Sequence, residues 1–184
     1  MGKPSKQNKA LSAARGFSLL EALVALVILS VGLLGIAGLQ ARGLLNNVNA
    51  NFRTQAVFLA DDLADRMRAN KRAMTGATKH FDQPTAAYTA GCLTSAGCTV
   101  QQMARTDFFL WEQRLDALLP LGVGEVCIDS TPVDGAPGAP ECDGLGSQYA
   151  IKVWWDDDRS GAIDSGSNDL SDERYVIAFQ PQTW

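Results

Sequence analysis

The sequence predicts an α+β fold in which one long N-terminal helix packs on a C-terminal antiparallel sheet. Two patterns carry this expectation. From Ser18 to about Asn70, apolar residues first form a near-continuous run and then recur at steps of three and four, the spacing of one helical face. Further on, Gln148–Trp155 and Arg174–Gln180 follow a period of two between turn-rich segments, the spacing of half-buried strands.

The helix has two halves of different character. Phe17–Leu39 is 23 residues long and carries one charge, Glu21, with Ser18 and Ser30 as its other polar or near-polar positions. That length can cross a hydrocarbon core of roughly 30 Å. Met1–Arg15 is basic and has no acidic side chain, so it is expected to stay on the cytoplasmic side. The run is too long for the apolar core of a secretory signal. Gly32, Gly35 and Gly38 recur every third residue and no proline lies between Pro4 and Pro84. Such glycines permit close helix approach but are also ordinary in membrane helices. Beyond Leu39 the pattern turns amphipathic: Leu45, Val48, Phe52, Ala56, Leu59, Leu63 and Met67 form a stripe, opposed by Asn46, Arg53, Asp61, Asp62, Asp65 and Arg68.

Thr75–Ala96 is rich in small and polar residues and is expected to be loop. A second helix is expected over Val100–Leu119, stopped by Pro120 and Gly122. Gly124–Ile128 is a short candidate strand. In the next strand Tyr149, Ile151, Val153 and Trp155 alternate with Ala150, Lys152 and Trp154.

The chain of 184 residues suffices for one modest domain plus an anchor. Its net charge is −4, but Lys3, Lys6, Lys9 and Arg15 all precede Gly16. Without that segment 12 basic residues face 20 acidic ones, about −8 in all. An acidic surface argues against nucleic-acid binding, which needs clustered Lys and Arg. His80 is the only histidine, so histidine-based zinc sites and Ser-His-Asp chemistry are poorly supplied, and no nucleophile–base set or phosphate-cradling glycine loop appears.

Glu21 is the discriminating residue. A carboxylate costs about 2.5–3.5 kcal/mol at the centre of a membrane helix, less near its end. Intramembrane charges usually mark function and have a partner. Gly16-Phe17-Ser18-Leu19-Leu20-Glu21, after a short basic leader and before a long apolar run, resembles the type III signal of type IV prepilins. That resemblance implies cleavage after Gly16 by a membrane prepilin peptidase and N-methylation of Phe17. It also implies that Glu21 pairs with the Phe17 ammonium of a neighbouring subunit, which would fix one axial register. The implied organisation is a cleaved leader (1–16), a transmembrane and filament-core helix (17–39) and a periplasmic head (40–184). The protein would be a single-pass inner-membrane protein that later reaches the pilus and cell surface. The implied partners are other major and minor pilins, the peptidase, the inner-membrane assembly machinery and the lipid bilayer, with no nucleic acid. Thr106-Asp107 to Trp111, Leu118-Leu119-Pro120-Leu121-Gly122-Val123-Gly124 and Val153-Trp154-Trp155-Asp156 are similar to PilV-type minor pilins.

All four cysteines, Cys92, Cys98, Cys127 and Cys142, lie in the expected periplasmic head, where disulfides form. Three pairings are open. Cys92–Cys98 with Cys127–Cys142 closes the shortest loops. Zinc is disfavoured because no C-x-x-C spacing occurs. No cofactor is expected, calcium at one acidic loop excepted. There Asp156, Asp158, Ser160, Gly161 and Asp164 match the first, third, fifth, sixth and ninth places of a calcium loop. The twelfth place holds Ser167 rather than glutamate, and a solvated acidic hairpin loop is the competing reading.

The function these residues suggest is a non-enzymatic minor pilin, acting in pilus assembly, initiation or tip function. A minor pseudopilin of a type II secretion system shares the leader and helix. A tip adhesin using Trp154, Trp184 or the acidic loop is the alternative from another class.

Overall fold

In the computed structural model the described residues are 18–163 and 173–181. They form α1 (Leu19–Ala69), α2 (Lys71–Thr75), a 3-10 turn at Ala90–Leu93, α3 (Val100–Leu118), and strands β1 (Val123–Ile128), β2 (Tyr149–Trp155) and β3 (Glu173–Phe179). The sheet is antiparallel in the order β1-β2-β3. The expected α+β fold, a long N-terminal helix packed on an antiparallel sheet, is the one observed. The chain divides into two compact units, Met1–Leu45 and Asn46–Trp184.

The first unit contributes the start of α1. Its described residues are exposed, with Leu19 80% and Leu34 73% accessible. A helix apolar all round has no buried side of its own, which is the pattern of a segment destined for lipid or for other helices.

The second unit holds the core. The stripe of α1 buries Ala56, Leu59, Ala60, Leu63, Ala64 and Met67. These pack with Phe108, Trp111 and Leu115 of α3 and with one face of the sheet, Val126, Ile128, Tyr149, Ile151, Val153 and Trp155. Strand register aligns this face: Ile151 lies opposite Val126 and Ile177, and Tyr149 opposite Ile128 and Phe179. Helix α3 starts with a capping box, in which Gln102 N–H donates to Thr99 Oγ1 (3.2 Å) and Thr99 N–H to Gln102 Oε1 (2.9 Å).

Polar contacts lock α1 to α3. Arg66 bridges Asp62 (2.9 Å) and Asp107 (3.3 Å), and Arg114 reaches Asp62 at 2.9 Å. Burial pushes the Asp107 carboxyl up, with the Arg66 hydrogen bond opposing it. The outer edge of β1 is covered: Gln83 N–H donates to Val126 O (2.8 Å) and Ile128 N–H to Asp82 Oδ1 (2.9 Å). Covering an edge removes a template for unwanted strand pairing.

Two expectations need correction. The segment read as loop over 75–96 contains the 3-10 turn at Ala90–Leu93 and follows a short helix, α2. Leu45, placed on the amphipathic stripe, is exposed. Strand β2 is buried on both faces, Ala150, Lys152 and Trp154 included. Over Lys152 the cover is the segment between β1 and β2, which supplies the oxygens around its ammonium.

Candidate functional site

Glu21 lies in the first turn of α1 and is exposed. A carboxylate there complements the positive end of the helix dipole. Ala22 N–H donates to Ser18 O at 3.2 Å, so the helical turn already encloses Glu21. Gly16 and Phe17 lie outside the described residues. The helix is long and apolar enough to cross a membrane. At Gly32, Gly35 and Gly38 an added Cβ would meet nothing within 4 Å.

In the second unit Cys92 is bonded to Cys98 and Cys127 to Cys142. The first bond lies beside α3, where Thr106 Oγ1 accepts from Thr89 N–H at 3.1 Å and holds the preceding segment in place. The second ties β1 to the segment 129–147, called the strap below. Cys127, Asp129 and Cys142 place potential metal-ligand atoms within 4.8 Å of one another. The two sulfurs are bonded to each other, so they offer no thiolates to a metal.

Beneath the strap sits Lys152, fully buried. Its ammonium contacts Asp129 Oδ2 (2.6 Å) and Asp134 Oδ1 (3.0 Å) and donates to the carbonyls of Pro140 (2.7 Å) and Asp134 (3.1 Å). Asp129 is also fully buried, and its Oδ2 meets Lys152 as an ion pair rather than as an aligned hydrogen bond. Hydrogen bonds from Thr131 and then Lys152 hold the Asp134 carboxyl below its ordinary range. No sequence signal marked this cluster, since a lysine in an alternating strand reads as solvent-facing. An indole at Trp154 on the same supposedly open face was the one hint of a cover.

Residues 11–37 match the family model of the prokaryotic N-terminal methylation motif, and residues 38–109 match that of type IV pilin Tt1218. The N-terminal part of this chain is therefore similar to type IV pilins. No curated protein and no solved structure matches the chain significantly. The pilin match ends within α3, so the sheet and the strap lie beyond it.

The acidic loop after β2 is organised by its own backbone. Asp156 is buried; its Oδ1 accepts from Ser160 N–H (3.1 Å) and its Oδ2 from Gly161 N–H (2.9 Å). Asp158 Oδ1 accepts from the same Ser160 N–H at 2.8 Å, and this bond lowers the Asp158 carboxyl. Ser160 Oγ donates to Ala162 O at 3.0 Å. Asp164, the remaining member of the candidate calcium set, lies outside the described residues. Trp154 is buried and so is not presented to a partner, while Trp184 lies outside the described residues. A single apolar helix joined to pilin sequence fits a membrane-anchored pilin.

Proposed function

We propose that the protein is a minor pilin, a structural subunit rather than an enzyme, held in the inner membrane with its head in the periplasm and then built into a type IV pilus. Its role there is in assembly, initiation or at the tip. One observation carries the reading: the methylation motif at 11–37 runs directly into pilin sequence at 38–109, and helix α1 (Leu19–Ala69) spans the junction between them. Cleavage after Gly16 would free an ammonium on Phe17 within about one helical turn of Glu21. In apolar surroundings opposite charges attract far more strongly than in water. Glu21 of one subunit is then neutralised only when the Phe17 amine of another reaches it, which rewards one register. The partners are other pilins, the prepilin peptidase and the membrane assembly machinery.

The test is mass spectrometry of the protein from cells with an active prepilin peptidase. The expected mature chain begins at an N-methylated Phe17. A chain retaining Met1–Gly16, or one cut near Ala41, overturns the reading. Replacing Gly16 with a bulky residue is expected to leave the leader attached. Recovery of the trimmed chain in sheared pili separates the pilus role from that of a secretion-system pseudopilin.

A further inference from the structure

The strap buries little of itself. Of residues 129–147 only Asp129 is buried, and Val133 and Leu145 are 70% and 63% exposed. Its attachments are the Cys127–Cys142 bond, the four oxygens around Lys152, Arg174 Nη1 donating to Gly135 O (3.1 Å), and backbone bonds near its ends from Asp129 to Gln148 (3.2 Å) and Gly144 to Ile128 (3.0 Å). Yet Lys152, ringed by oxygens of the strap, is fully buried.

Buried ion pairs roughly break even against hydration, because the lost solvation offsets the Coulomb attraction. Water can take over the lysine, the carboxylates and the carbonyls when the strap lifts. The polar contacts therefore discriminate weakly between a seated and a lifted strap. The disulfide does not exchange with water. It closes a loop of 15 residues, which restricts the open ensemble. The core against α1 and α3 uses the opposite face of the sheet and contains no residue of the strap.

We propose that Cys127–Cys142 is a redox latch: it keeps Lys152 sealed beneath the strap, and its reduction lifts the strap while the helix-side core stays folded. A dithiol cleaves the bond to two thiols and is itself oxidised to a disulfide; no other bond changes. The oxidised head thus shows a polar strap, and the reduced head shows the free amine of Lys152. Cys92–Cys98 sits on another segment and does not control this face.

The test uses the full-length protein in detergent. Amine acylation is followed residue by residue by peptide mass spectrometry, with exposed Lys79 as the reference, alongside hydrogen exchange of the α1 and α3 amides. Reduction, or the variant Cys127→Ser/Cys142→Ser, is expected to raise Lys152 acylation at least about tenfold. Lys79 and the amides around Leu63 and Trp111 should be unchanged, and Cys92→Ser/Cys98→Ser should leave Lys152 protected. Lys152 remaining protected after reduction overturns the proposal. So does loss of amide protection in α1 and α3 together with Lys152 exposure, since the strap would then not move independently.

Discussion

Trp111 on α3 donates its indole N–H to the Leu59 carbonyl of α1 at 2.9 Å, and both residues are buried. The bond fixes the rotation of α3 against the long helix. The ring supplies area and the N–H supplies direction, since a buried indole needs a partner for its donor. Trp111→Phe is expected to lower stability by about 1–3 kcal/mol through lost volume and the lost donor. Trp111→Ala is expected to cost about 3–5 kcal/mol. Denaturant unfolding of the detergent-solubilised chain measures both. Equal stability of Trp111→Phe and the parent would show that the bond contributes nothing.

Gly124 makes room for that ring. A Cβ on Gly124 would stand 2.3 Å from Trp111 Cη2 and 2.7 Å from Leu115 Cδ1. Gly124→Ala is therefore expected to cost about 1–3 kcal/mol by overpacking. The two changes share one space, so Gly124→Ala with Trp111→Phe should cost less than the sum of the singles. Additive losses in a double-mutant cycle would show that the clash is relieved elsewhere.

The pairing of Gly124 with Trp111 was not legible in the sequence, although both residues sit in segments that were. Periodicity located α1, α3 and the three strands to within a residue or two, because each buries one face against the same core. It also set Tyr149, Ile151, Val153 and Trp155 on one face, which the structure turns to the core. It did not reveal that Ala150, Lys152 and Trp154 are buried too, because a period of two shows that alternate residues share a face, not whether that face is open. Lys152 is covered by a glycine- and proline-containing segment with no periodicity, fixed by a disulfide and by charge. Local spacing cannot reveal such a contact. Gly16, Phe17 and Asp164 lie outside the described residues, so for them the sequence remains the only guide.

Glu125 is a site where charge works against folding. Burial pushes its carboxyl up, the Val126 N–H opposes this, and Glu112 and Asp82 add repulsion. A folded-state pKa above the unfolded one means that the native state binds the proton more tightly. The group's contribution to stability is thus fully present below the ordinary carboxylate range and is lost as pH rises through the raised folded value. Glu125→Gln removes that dependence. The variant is expected to be more stable than the parent at pH 7, with the advantage disappearing as pH falls below about 4.5. Thermal unfolding at several pH values checks this. A constant difference across the range would remove the electrostatic explanation.

Glu21 gives the prediction closest to the proposed function. In the single chain its carboxylate is exposed at the start of α1 and has the helix dipole as its local support. A role in folding of the head would make Glu21→Ala lower head stability, although the core of the second unit contains no residue of the first. A role in insertion would make Glu21→Ala favourable, since it removes a charge from an apolar segment. Pairing with a neighbour's ammonium predicts a third pattern. Membrane insertion and leader cleavage proceed, head stability is unchanged, and incorporation into filaments falls. Glu21→Gln should behave like Glu21→Ala, because the amide keeps the shape and hydrogen-bonding capacity but cannot neutralise an ammonium. Quantifying each variant in membrane and sheared-filament fractions separates the three cases. Normal incorporation of Glu21→Gln would show that shape, not charge, is what the neighbouring subunit reads.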